Sequence, residues 1–183
     1  MSGETLPHYS SQYFTLPVLL VSLVNLLVAP DSYLRLAGVD MFYNGPDLPS
    51  SIFGEILNIT GAAPSLGPLS YLDITNVLPL GNERGSGQFF GSGAQAGNET
   101  LYVNLLNNWL NFTNHFQSEM ALSVLAWTPV PQSQINAGKA RGGNAMSPSD
   151  GSYSAIQIAQ QFLPGVSSVS QGLLNGLDLL FQQ

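Results

Sequence analysis

Apolar residues at positions 101, 105, 109, 112 and 116 recur at intervals of four, four, three and four. That is the repeat of one helical face, and it predicts a helix over Glu99–Phe116. Leu106 and Leu110 widen the stripe, and Asn104, Asn107, Asn108, Asn111 and Asn114 cover the opposite side. Asn98 stands where a side-chain oxygen can satisfy free amides at the helix start, and Glu99 suits the positive end of the helix dipole. The aromatic members of the stripe, Trp109, Phe112 and Phe116, read as core rather than as a cofactor-binding face.

Strand-like runs flank this helix. Met120 to Thr128 reads as a strand closed by Pro129 and Pro131, followed by a polar loop and an Arg141-Gly142-Gly143-Asn144 turn. Tyr153 to Phe162 reads as another. Successive strand side chains point to opposite faces. Ser123, Leu125 and Trp127 therefore share one face of the first strand, and Tyr153, Ala155 and Gln157 share one face of the second. Leu16–Val28 and Tyr33–Tyr43 read as a hairpin around Pro30-Asp31-Ser32. Ser50 or Ser51 can cap a short helix through Ile52–Leu57, residues 60–69 read as irregular, and Ser70–Leu78 as a short helix. Gln88-Phe-Phe90 centres an exposed strand in a glycine-rich stretch. Ser167 or Ser168 opens a last helix with Val169, Leu173, Leu177 and Leu180 inward. The order β-β-α, loop, β-α-β-β-α predicts an α+β fold, an antiparallel β-sheet with helices packed on one face. Residues 1–16 are expected to fray and 17–183 to form a single domain.

Composition narrows the function classes. Charged residues make up 8% of the chain, against about 25% in an average domain, while hydrophobic residues at 44% are ordinary. That balance opposes disorder. Four basic against eleven acidic residues give a net charge of −7. Nucleic-acid binding needs clustered cations to displace counterions from phosphates. Arg35, Arg84, Lys139 and Arg141 are scattered, so that class is rejected. The absence of cysteine removes disulfides, thiol nucleophiles and Cys-ligated metals. Tyr13–Ala29 is apolar, but it falls short of the ~20 residues a membrane span needs and is interrupted by Pro17, Ser22 and Asn25. It reads as a buried strand. Met1-Ser-Gly-Glu has neither the basic start nor the cleavage site of a signal peptide. Asn58-Ile-Thr60, Asn98-Glu-Thr100 and Asn111-Phe-Thr113 are formal N-glycosylation acceptors, which favours a secreted protein.

Residues that announce a reaction are scarce. His8 falls in the segment expected to fray, and His115 in the last turn of the long helix, where a cation complements the dipole. There is no Gly-x-Ser-x-Gly elbow and no cluster with metal-ligand spacing. Asp40, Asp47, Glu55, Asp73 and Glu119 show no pairing. Gly91-Ser-Gly93-Ala-Gln-Ala-Gly97 misses the dinucleotide-binding spacing by one residue and carries no Lys-Ser/Thr. No catalytic residue and no metal ligand is assigned.

The ordered set of landmarks carries more than any one of them. Strand Tyr33–Tyr43 leads to Gly45-Pro46 and Ser51-Ile-Phe53. Ser70-Tyr-Leu72, Arg84 with Phe89-Phe90, the helix of Trp109 and the strand Ala121–Thr128 follow. Pro129-x-Pro131, Gly142-Gly-Asn144 and Ser147-Pro-Ser-Asp-Gly151 close the series. Over most of 17–183 this resembles the substrate-binding region of the berberine-bridge-enzyme-like FAD-linked oxidases, particularly fungal ones. The resemblance implies an antiparallel sheet, one face of which covers the flavin and walls the substrate pocket. The parent enzyme would take a hydride from an alcohol, sugar or similar carbon centre, with oxygen as acceptor. Ser123, Leu125, Trp127, Tyr153, Ala155 and Gln157 are then the candidate wall residues, with Arg141 and Asn144 as loop candidates. The family's flavin-binding domain, with its histidine and often cysteine for covalent attachment, has no counterpart in these 183 residues. After Gly-Gly-Asn the family often continues Ala-Leu-Gly-Leu, where this chain has Ala145-Met-Ser-Pro148. The expectation is a fragment or truncated form of a secreted FAD enzyme that binds no flavin and catalyses nothing alone. Its partners would be a small-molecule substrate and the missing flavin domain. The rival expectation is a non-catalytic secreted interaction or surface module.

Overall fold

The computed structural model describes residues 37–41, 49–60, 67–68, 70, 72–73, 85–96, 98–143, 151–166 and 168–181. They fall into two compact units. Met41, 49–60 and Gly67 belong to one, and 37–40 with the residues from Pro68 onward belong to the other. The predicted strand Leu16–Val28 and the segment 1–16 lie outside the described residues. Of the predicted strand Tyr33–Tyr43, residues 37–41 are described and are irregular; Gly38, in their midst, offers no side chain to pack a ladder.

In the smaller unit, helix α1 spans Ser50–Leu57. Neither serine caps it. Pro49, extended at φ −72°, is the N-cap, and its carbonyl accepts the Phe53 amide at 3.1 Å. Proline has no amide to satisfy and its fixed φ costs the chain little entropy there, so the helix begins at Ser50, two residues before Ile52, and takes both serines inside. Phe53 is fully buried.

The larger unit is built on β1 (Gln88–Ala96), α2 (Glu99–Phe116), β2 (Met120–Val130), α3 (Gln132–Lys139), β3 (Tyr153–Phe162) and α4 (Gln171–Phe181). The sheet order is β1-β3-β2, antiparallel throughout. Two strands that both oppose β3 run parallel to each other, so α2, which joins them, crosses the central strand. This is a split β-α-β arrangement. The fold is α+β, with α2 and α4 sharing one apolar core with one face of the sheet.

Helix α2 has the predicted limits, and the Asn98 side chain accepts the Thr100 amide at 2.9 Å. Its stripe buries Leu105, Trp109 and Phe112 against Leu125, Trp127, Ile156, Ile158 and Phe162. Helix α4 adds Leu173, Leu177 and Leu180, three of the four inward positions the periodicity predicts; Val169, the fourth, precedes the helix and packs partly buried against the same cluster. The helix starts at Gln171, later than expected, because Ser170 is the residue that caps it. The Ser170 hydroxyl accepts the Leu173 amide at 3.1 Å and donates to Glu119 Oε1 at 3.1 Å. One carboxylate at the entry of β2 thus orients the cap of the last helix.

Two local features depart from the sequence reading. Pro129 lies inside β2 rather than ending it. Within the described sheet β2 is an edge strand, and an edge residue needs no second ladder amide. The expected polar loop after Pro131 is helix α3. Gln132, Gln134, Ala137 and Lys139 are adequate helix formers, and Ile135 supplies one buried anchor. Arg141-Gly142-Gly143 then ends α3. The Gly143 amide reaches back to the Gly138 carbonyl at 2.9 Å, and Gly142 and Gly143 take φ of 97° and 78°, the left-handed region that glycine occupies without penalty.

Candidate functional site

The antiparallel register sorts every strand residue onto one of two faces. On the face toward α2 and α4, the cross-strand rows are Phe89–Gln160–Ser123, Gly91–Ile158–Leu125, Gly93–Ile156–Trp127 and Gln95–Ser154–Pro129. On the other face they are Phe90–Ala159–Val124, Ser92–Gln157–Ala126, Ala94–Ala155–Thr128 and Ala96–Tyr153–Val130. A bulge between Met120 and Leu122 shifts the alternation at the start of β2. It lets Met120 face the core opposite Phe162, although the later even-numbered residues of β2 face away.

The two predicted wall sets therefore lie on opposite faces. Ser123, Leu125 and Trp127 are buried under the helices, and Tyr153, Ala155 and Gln157 lie on the opposite face, the first two half-buried and Gln157 exposed. They do not converge on one surface. The second face is closed at Val124, Ala126 and Ala159 and open toward β1, where Ser92, Ala94 and Gln157 are exposed and Phe90 is 57% exposed. Its side chains are mostly small, with aromatic rings only at Phe90 and Tyr153.

Ser123 has a structural role that its position in sequence does not disclose. The Gln160 amide nitrogen donates to Ser123 Oγ at 2.8 Å, and both residues are buried. Ser123→Ala leaves that amide without a partner inside the core and is expected to cost about 1–3 kcal/mol. Ser123→Ala combined with Gln160→Leu is expected to recover most of the loss. Urea unfolding of the two variants reads the difference, and equal losses in both would show that the hydrogen bond contributes nothing.

A second polar spot lies where β2 ends and β3 begins. Tyr102, Pro129, Val130, Pro131, Ser152, Tyr153 and Ser154 line a pocket of about 200 Å³. The hydroxyls of Tyr102 and Ser154 are 2.7 Å apart, and the Tyr102 ring meets Trp127 edge-on at 6.1 Å. Gln95, in register with Ser154, has a buried carbonyl oxygen with no partner among the described residues. Among the described residues the pocket is lined by hydroxyls, proline rings and a valine and by no acid, base or cation. It can accept a small polar group through hydrogen bonds, and its described residues form no nucleophile–base pair.

Among the described residues the carboxylates form no cluster of three. Burial pushes the Asp40 carboxyl up, whereas hydrogen bonds from Ser70 hold exposed Asp73 below its ordinary value. Glu55 is exposed, and Asp47 lies outside the described residues. His115 is exposed at the end of α2, its ring edge-on to Phe116 at 4.6 Å. Among the described residues no group of three His, Cys, Asp or Glu could hold a metal, and no helix is long and apolar enough to cross a membrane. Tyr13–Ala29 lies outside them. Arg141 is exposed beyond α3, and Asn144 is outside the described residues.

Gly91 and Gly93, which a phosphate cradle would use, sit in β1 and pair in register with Ile158 and Ile156. Their backbone belongs to a ladder and makes no loop at a helix start. No family model, curated protein or solved structure matches the sequence.

Proposed function

We propose that this chain is the substrate-side part of a secreted FAD-linked oxidoreductase, and that the sheet face turned away from α2 and α4 is the wall it presents to a flavin-bearing domain. The single observation that carries the reading is the asymmetry of the sheet. One face is sealed by two helices, and the other carries exposed Phe90, Ser92 and Gln157 beside Ala155 and Tyr153. A wall that admits a planar ring and a small substrate needs small side chains and a few polar ends rather than charges, and this face has that composition. Of the two sequence-derived sets, Tyr153, Ala155 and Gln157 fit this role. Ser123, Leu125 and Trp127 support the sheet from below. The cofactor would carry the redox chemistry and this unit the shape of the pocket.

The rival reading, a non-catalytic interaction module, draws on the same exposed Phe90, since apolar surface left uncovered also marks partner sites. Expression of the chain with excess FAD separates the two. The fragment reading expects no flavin absorbance in the purified protein and poor solubility until a flavin domain is supplied. A yellow holoprotein with one flavin per chain overturns it. A colourless, soluble monomer favours the module.

A further inference from the structure

The Asn-x-Thr triplets meet three different fates in the fold. Asn98 uses its side-chain oxygen to cap α2. Asn58 follows α1, exposed, with Thr60 exposed as well. Asn111 is exposed on the flank of α2, and it lines a groove between α2 and α4 of about 510 Å³, within the ~300–1,000 Å³ range of ligand sites.

That groove has a composition of its own. Phe112, Phe116 and Leu180 form its floor, Leu179 stands 64% exposed at its side, and Asn108 and His115 join Asn111 on the polar rim. The phenylalanine rings pack directly against Gly176, where a Cβ would lie 3.0 Å from both. An apolar floor with amide and imidazole groups along one edge suits a pyranose. The ring presents C–H groups on its face and hydroxyl and acetamido groups on its rim.

We propose that Asn111 is an N-glycan acceptor and that the first N-acetylglucosamine of that glycan lies in the α2–α4 groove, covering Leu179. Thr113, the third residue of the triplet, is fully buried, and its hydroxyl donates to the Leu110 carbonyl at 3.0 Å. A transferase cannot read that threonine in the folded helix, so attachment precedes the folding of α2. The exposed Asn111 amide then carries the sugar beside the apolar floor. This requires passage through a secretory pathway, which the test imposes, and it is independent of the flavin reading.

The full chain is expressed behind a heterologous leader in a glycosylating eukaryotic host, and glycopeptide mass spectrometry reads each site. Asn111 is expected to be occupied, and Asn111→Gln to lose the mass of one glycan. Trimming the glycans to the single core sugar is expected to leave binding of a hydrophobic dye low. Complete removal, or Asn111→Gln, raises it, and Leu179→Ser reverses that rise. Asn58→Gln leaves dye binding unchanged. An unmodified Asn111, or equal dye binding with and without its core sugar, overturns the proposal.

Discussion

Trp109→Ala is expected to lower the unfolding free energy by about 3–5 kcal/mol, a large part of the ~5–15 kcal/mol that stabilises a typical domain. Trp109 is fully buried at the middle of the α2 stripe, and it belongs to the cluster that joins α2, α4 and the sheet. Its removal takes away the largest fully buried side chain among the described residues and leaves a cavity bounded by three elements. The indole nitrogen has no partner among the described residues, so the loss is one of packing and not of hydrogen bonding. Trp109→Phe sharpens the test. It keeps most of the ring, removes an unpaired donor from the core, and is expected to cost less than about 1.5 kcal/mol. Urea unfolding followed through Trp127, the other tryptophan, measures both. A Phe variant as unstable as the Ala variant would mean that the N–H has a partner, such as an internal water.

Neighbouring residues on the central strand are expected to behave in opposite ways. Ile158→Ala should destabilise by about 2–5 kcal/mol, because Ile158 is fully buried between Gly91 and Leu125 on the helix-covered face. Gln157→Ala should stay within about 0.5 kcal/mol, because Gln157 is exposed between Ser92 and Ala126 on the other side. The pair tests the register, since a slip of one residue exchanges the two faces. It also prepares the functional test. A change at Gln157 that leaves stability intact can be carried into a complex with a flavin domain, where a wall residue alters KM or substrate choice. The same experiment on Ser123 would report a loosened core.

Much of the architecture was legible from local pattern. Helix α2 follows from five apolar positions and a capping asparagine, β3 from its alternation, and α4 from its leucine spacing, because each signal is contained in the element itself. The α3 helix was not legible. It buries one apolar residue, Ile135, and without periodicity its glutamines look like loop. Pro129 misleads for a related reason. A proline argues against a strand unless that strand lies at an edge, and position in a sheet is not a local property.

The candidate site divides along the same line. Period-two alternation correctly grouped Ser123 with Leu125 and Trp127, and Tyr153 with Ala155 and Gln157. Alternation within one strand carries no information about which face of a second strand it matches. The relation between the sets comes from the β2–β3 register, which puts Leu125 beside Ile158 and Ala126 beside Gln157. Residue type and spacing alone were enough for α2, β3 and α4 with their amphipathic faces, and for the lack of cysteine and of clustered cations. That β3 lies between β1 and β2, that α2 and α4 share one face, and that the other face is exposed along β1 come from the three-dimensional packing. Those are long-range choices, made by which apolar stripes can bury one another at once.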